Sequence, residues 1–455
     1  MTSTMQRGPA TRLYYGWIIV GLGFVTLAFQ VVYRFSYSIF QIPLIAEFGW
    51  SRGALSWAYS ISMLVYALSS PYAGSLLERY GPRAVMPWGC AIVAAASFMG
   101  YFFNSIWLVY LVVGLFGGIG LALNGFATNS SIMPRWFMRY RGRATGIALS
   151  GIGIGILILL PLVEKMIAMW GWRLAYVGYG LFTLIVITPM SYFLMRNHPR
   201  DVGQHRDGTT GEPNPGRNKD KSNHVHTKRF QKVNVYNRYR LRPSKRLVDK
   251  SVKTVFLTLK GDPRFWCMMF LYFAVGLNNN TIISLIGLYL KDTGFSVATC
   301  ALIIGVMGFL RTFGSISGGW LGDRIGRGPG TAISAIVVAL GLVLLILLPA
   351  WGGGLLLAYT FAAIYGTGIG GMSSCGSALG GDIFEGPTYG VIVGFTEIAY
   401  GMGGFIGPPF AGYFFQFAGT YVIPIIIIIL FILISIPVVL YLQNTLAPNR
   451  AASSS

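Results

Sequence analysis

The chain has 455 residues, 54% of them hydrophobic and only 11% Asp, Glu, Lys or Arg, with a formal net charge of +21. So few charges cannot cover the surface of a soluble domain of this length, which excludes an ordinary water-soluble enzyme or binding module. The fold class expected is an all-α membrane protein, because apolar runs of about 20 residues, enough helix to cross a bilayer, recur along the whole chain.

Taken in chain order, Met1 to Arg12 is polar, and the first apolar run lacks a small-residue cleavage site. It reads as a retained helix and not a removed signal peptide. Spans are predicted at 14–38, 55–77, 84–103, 105–127, 143–163 and 173–195, then at 265–289, 297–321, 331–350, 353–375, 389–415 and 421–442. These twelve transmembrane helices form two groups of six, an N-terminal bundle (1–195) and a C-terminal bundle with its tail (265–455). Between them, residues 196–264 hold 18 Lys and Arg against six Asp and Glu, a net +12 out of the total +21. That composition reads as a basic linker.

The short loops set the sidedness. The side of the loop after the second span carries Arg79, Arg83, Arg135, Arg139, Arg141, Arg143, Arg324 and Arg327; the other carries Arg52, Lys165, Arg173 and Lys291. The positive-inside tendency therefore places both termini and the linker in the cytoplasm, as an even number of spans requires. Basic residues beside membrane helices point to anionic lipid head groups and not to nucleic acid. The seven basic residues from Arg238 to Lys253 suit a helix lying on the inner surface. All four histidines lie in the linker, the four cysteines lie in apolar runs without a C-x-x-C pattern, and no cofactor or metal motif occurs. A monomer is expected.

Inside the spans, charge is rare and therefore informative. Arg311 stands 14 residues from one end of the eighth predicted span and ten from the other, too deep to snorkel easily. Its guanidinium can hold a carboxylate by two parallel hydrogen bonds; a structural ion pair with Glu397 is the alternative. Arg34 reaches the outer head groups if the first span ends near Ile39, and lines the outer cavity wall if the helix continues. Glu397 admits three roles: a titrating coupling group, an ion-pair partner, or a water-exposed residue of the inner vestibule. Tyr33, Tyr37, Tyr365 and Tyr400 are candidate cavity-lining hydroxyls, with tight helix packing as the competing use. Asn278, Asn279 and Asn280 are unusual for a lipid-facing helix, and Asn279 is taken as the representative binding candidate.

A repeat organises these elements. Gly74-x-Leu-x-Glu78-Arg79-x-Gly81, followed by Arg83, closes the second span, and Gly319-x-Leu-x-Asp323-Arg324-x-Gly326 closes the eighth, 245 residues later. With this pattern the sequence resembles the major facilitator superfamily, in which the motif recurs in both six-helix halves. The resemblance implies a gating role for these residues, latching the cytoplasmic side, and transport by alternating access. Tyr15-Gly16-Trp17, the turn Phe48-Gly49-Trp50-Ser51-Arg52 and Gly381-Asp382-Ile383-Phe384 look like the bacterial branch that contains monocarboxylate transporters and oxalate:formate antiporters. That likeness places Arg311 where characterised relatives engage a substrate carboxylate, and Arg34 near a helix 1 cation of animal members.

Two departures refine the expectation. Met307 replaces the aspartate of proton-coupled members, and Tyr400 stands where oxalate-exchanging members have a second cation. With one cation at mid-membrane a dicarboxylate would be poorly compensated, so a small organic monocarboxylate of lactate or pyruvate scale is favoured, with a proton as candidate co-substrate. An exchanger or effluxer of larger carboxylates is the transport alternative. A non-transporting membrane sensor is the alternative of another class. The spans hold no histidine, no paired carboxylates and no H-E-x-x-H, so no enzyme is expected. The location expected is a bacterial plasma membrane.

Overall fold

The computed structural model describes residues 14–137, 141–205, 252–349, 354–384 and 389–446. The expected surface helix around Arg238 to Lys253 lies almost wholly outside them. The described chain is all-α. The helices before the linker are α1 (Gly16–Phe48), α2 (Arg52–Tyr80), α3 (Pro82–Gly100), α4 (Ile106–Asn124), α5 (Phe126–Trp136) and α6 (Arg141–Phe182, prolonged through 183–194). The linker itself ends with α7 (Val252–Leu259), and then come α8 (Pro263–Asp292), α9 (Val297–Ile325), α10 (Arg327–Leu347), α11 (Leu355–Ile383), α12 (Tyr389–Ala418) and α13 (Val422–Leu446).

Among the described residues, nine helical stretches are long and apolar enough to cross a bilayer. One of them, Gly146–Leu194, breaks at Gly171, whose φ of 79° no other residue type adopts cheaply. The α2 and α12 helices, of 29 and 30 residues, are not among the nine. Both pack across the chain, on each other, and a helix that meets protein on more than one face need not be apolar all round. Large apolar side chains stay exposed elsewhere, as at Ile423, Ile426, Leu430, Leu433 and Ile434 of α13. Spaced three or four apart, these form one stripe facing lipid. The protein is a multi-pass membrane protein.

The internal repeat extends beyond its motif. Both α2 and α9 have 29 residues, begin at a serine whose hydroxyl caps the first turn (Ser51 to Ala54 N, Ser296 to Thr299 N, both 3.1 Å), and end at a glycine of positive φ (Gly81, 79°; Gly326, 101°). Each pair is 245 residues apart, as are Gly49 and Gly294, which also have positive φ.

Close glycine contacts set helix spacing. In α9, Gly314 and Gly318 meet the backbone of Thr367 and Gly371 in α11, while Gly366 and Gly370 of α11 meet the carbonyls of Met307 and Arg311. In α6, Gly151 and Gly155 lie against Phe24 and Ala28 of α1. Small residues four apart let these backbones touch. Gly146 and Gly394, by contrast, face open space.

The helices before the linker meet those after it chiefly at α1 with α8, α2 with α12 and α6 with α9, with a smaller contact of α2 with α8. At the end holding Arg52 they are tight. Arg52 forms a bidentate pair with Asp292, donates to the Tyr421 hydroxyl (3.0 Å) and lies over the Phe415 ring at 4.2 Å. Gln41 donates to the Ser284 carbonyl (2.8 Å), and Gly53 meets Gly412. Contact continues to Gly401 with Ala67 and to Gly153 with Thr312, whereas Gly74, Gly146 and Gly394, nearer the other end, have nothing within 4 Å. Among the described residues the interface is closed at the Arg52 end and more open at these glycines of the motif end.

Breaking this closure has a testable effect. Arg52→Ala or Asp292→Asn is expected to move the population toward the conformer open at the Arg52 end by about five-fold, for a pair contributing roughly 1 kcal/mol. Labelling of a cysteine introduced at Ser56 by an impermeant thiol reagent measures it. An unchanged labelling rate would remove the latch role.

Candidate functional site

The three consecutive asparagines of α8 are each almost wholly buried, and the turn of the helix points them about 100° apart. Each meets a different side chain. Asn278 Oδ1 accepts from the Tyr365 hydroxyl of α11 (3.3 Å). Asn279 Oδ1 accepts from Arg311 Nη1 of α9 (2.9 Å), and its Nδ2 donates to the Tyr400 hydroxyl of α12. Asn280 Oδ1 accepts from Arg34 Nη2 of α1 and from the Tyr59 hydroxyl of α2 (3.2 Å), while its Nδ2 donates to the Gly276 carbonyl (2.8 Å). Arg34 Nε also donates to Tyr59 (2.8 Å), and its Nη2 to Tyr400 (3.4 Å).

Arg34, Arg311, Tyr400 and Glu397 are half-buried, whereas Tyr59 and the asparagines beside them are sealed. The charged groups thus face the interface where helices on both sides of the linker meet. Among the described residues neither arginine has a carboxylate within 4 Å. The expected alternative for Arg311, an ion pair with Glu397, is not formed.

Two expectations need correction. The first span does not end near Ile39: α1 runs through Pro43 to Phe48, so Arg34 lies 18 residues from one end and 14 from the other. A proline is tolerated there because neighbouring helices satisfy the freed backbone. Arg34 is therefore at mid-helix, the alternative in which the helix continues, and a second cation stands beside Arg311 where the charge argument counted one. The site holds two.

The tyrosines divide. Tyr400 accepts from Arg34 and, through Asn279, is linked to Arg311, whereas Tyr365 bonds Asn278, the chain neighbour of Asn279. Tyr37 is 2% exposed, donates to the Leu55 carbonyl (2.7 Å) and stacks near Tyr59. Tyr33 packs against Tyr179 and Gly117, its hydroxyl buried without a partner. Both belong to the packing of α1 within the N-terminal helices and do not contact Arg34. Tyr59 and Asn280, absent from the expected binding set, contact it directly. The signal for Asn280 was the asparagine run itself. Tyr59 is one of many span aromatics, and local sequence does not separate it from its neighbours.

The motif residues brace each side separately. Arg83 donates to the Tyr192 carbonyl (3.3 Å) and lies over its ring, with Asn197 bonded to the Arg83 N–H; Arg79 lies over Tyr80. On the other side Arg327 pairs with Asp382 (3.0 Å) and more loosely with Asp323 (3.9 Å), and Arg324 lies over Trp320 (4.0 Å). The Glu78 side chain lies outside the described set. Each of these contacts stays on its own side of the linker, in keeping with an interface more open at this end.

Comparison with known proteins places this geometry. The family model described as Major Facilitator Superfamily matches residues 19–395 and 268–455. Among characterised proteins, the chain is 25% identical over 413 residues to monocarboxylate transporter 13 of Bos taurus, covering 90% of this chain and 84% of that protein. It is 29% identical over 192 residues to the oxalate:formate antiporter of Oxalobacter formigenes, covering 42% and 45%. Among solved structures, a bacterial homolog of the human lysosomal transporter Spinster, inward-facing and unoccupied, superposes with a TM-score of 0.69 over 96% of this chain and 98% of that one at 14% identity, a likeness of fold.

Proposed function

Because this chain belongs to the Major Facilitator Superfamily, a family of secondary transporters, we propose that its solute is a small organic monocarboxylate of lactate or pyruvate scale. The observation that carries the reading is Arg311, half-buried at mid-helix, bonded to a neutral amide and without a carboxylate among the described residues. A guanidinium in that setting favours an anion that visits. Two guanidiniums counted beside one carboxylate, Glu397, carry a formal charge of +1, which one monocarboxylate neutralises. The likeness to monocarboxylate transporter 13 of Bos taurus supports the same substrate class.

The rest of the reading follows from the family fold. Twelve spans form two bundles, 1–195 and 265–455, joined by the basic linker 196–264. The motif end, the linker and both termini face the cytoplasm of a plasma membrane with anionic lipids, and the chain works as a monomer. The described conformer is then inward-facing, and rocking about the site exposes it alternately. We assign proton coupling to Glu397, a half-buried carboxylate. The likeness to an oxalate:formate antiporter favours exchange as a second mode.

Proteoliposome uptake tests both readings. Labelled three-carbon monocarboxylates are expected to enter, faster with an inward proton gradient, and their uncharged amides are not. Equal handling of acids and amides would end the anion reading. Stimulation by internal unlabelled acid, with no effect of the gradient, would select exchange.

A further inference from the structure

Carboxylates are the usual partners of guanidiniums in a low-dielectric setting. At this site two arginines from different helices instead rest on adjacent asparagines, the neutral isosteres of aspartate: Arg311 on Asn279 and Arg34 on Asn280. Neither amide can turn away. The Asn280 Nδ2 is held by the Gly276 carbonyl, and the Asn279 Nδ2 by Tyr400, so each Oδ1 faces its arginine. A guanidinium has no acceptor, so the oxygen is the end that must point at it.

We infer that Asn279 and Asn280 are positioning residues, which fix the direction of Arg311 and Arg34 without themselves supplying a charge that competes with the anion. The inference deepens the proposed function and rests on the site being an anion site. A carboxylate at either position would form a permanent internal pair, and an incoming anion would have to displace it. The amide orients without competing.

The two tethers differ in what they span. Arg34 to Asn280, with Tyr59 bonded to the same oxygen, joins α1 and α2 to α8 across the linker, whereas Arg311 to Asn279 stays among the helices after it. Rocking of the two parts remakes the first bond in each cycle and leaves the second intact. Asn280 therefore governs turnover, and Asn279 governs affinity.

The test that needs no substrate uses phenylglyoxal, which modifies guanidiniums, on the full-length protein in liposomes, with each arginine read by peptide mass spectrometry. Asn279→Asp is expected to slow modification of Arg311 about ten-fold and spare Arg34, and Asn280→Asp to do the converse, because a fixed ion pair shields its own arginine. Asn→Ser at either position keeps a neutral acceptor and leaves the rates within about two-fold. Unchanged rates in both aspartate variants, or both arginines slowed together by either one, would overturn the assignment. Transport kinetics supply the second readout. For pyruvate, Asn279→Asp raises KM about 100-fold and Asn279→Ser about ten-fold, while Asn280→Ser lowers kcat at nearly constant KM. Equal loss in the serine and aspartate variants of Asn279 would mark a merely structural role and overturn it too. If the wild type carries no acid, the function reading falls, while the labelling result still decides the tethers.

Discussion

Arg311→Ala is expected to lower monocarboxylate uptake about 100-fold or more while the protein still inserts and purifies as wild type. Removing one member of a desolvated charge pair costs about 2–5 kcal/mol, and the lost pair here is the one made with the solute. The internal bond lost is that to Asn279, whose amide still donates to Tyr400, so α8 and α12 keep a link at this level. Arg311→Lys retains the charge and loses the planar fork, so an intermediate deficit of about ten-fold is expected. Labelled uptake into proteoliposomes, with expression and monodispersity as controls, measures the series. Wild-type uptake by the alanine variant across a broad panel of acids would remove Arg311 from the binding site.

Gly370→Leu is expected to prevent assembly of a stable protein. A Cβ at Gly370 would fall on the carbonyl of Arg311, with the Ser315 nitrogen 2.7 Å away. Both are backbone atoms of α9, so no side-chain rotation relieves the overlap, and the helix itself must shift. Overpacking costs typically about 1–3 kcal/mol, and a collision with backbone belongs at the upper end or beyond. The same shift displaces Arg311, so any protein that survives should also transport poorly. Gly394→Ala, at a position facing open space, is the matched control and should leave the melting temperature of the purified protein unchanged. Wild-type melting behaviour in Gly370→Leu would show that α9 and α11 do not pack as described.

The sequence by itself determined that the chain is embedded in a membrane and built on a repeat, because both are written in local composition and spacing. A helical crossing depends on about 20 consecutive residues, whatever the distant ones do. The depth of Arg311 was legible for the same reason: its distance from both ends of an apolar run is a count along one helix. The repeat was legible because turns demand particular residues at particular places, and Gly81 and Gly326 supply positive φ at the ends of helices of equal length.

Tertiary structure alone decided which side chains share the site. Whether Arg34 lay at the head groups or at the centre turned on α1 continuing past Pro43, and that depends on the packing around it. The separation of Tyr33 and Tyr37 from Arg34, within one turn or so of the same helix, depended on which faces of α1 meet α4 and α6, at Tyr33, and α2, at Tyr37. Spacing along a chain states which residues lie on one face of a helix but not what that face meets. The pairing of Asn279 with Arg311 and of Asn280 with Arg34 was set by the rotation of α8 against α9 and α1. That rotation is fixed by glycine contacts summed over many turns, such as Gly276 on Tyr400 and Gly287 on Ser38, and no short stretch of sequence encodes it.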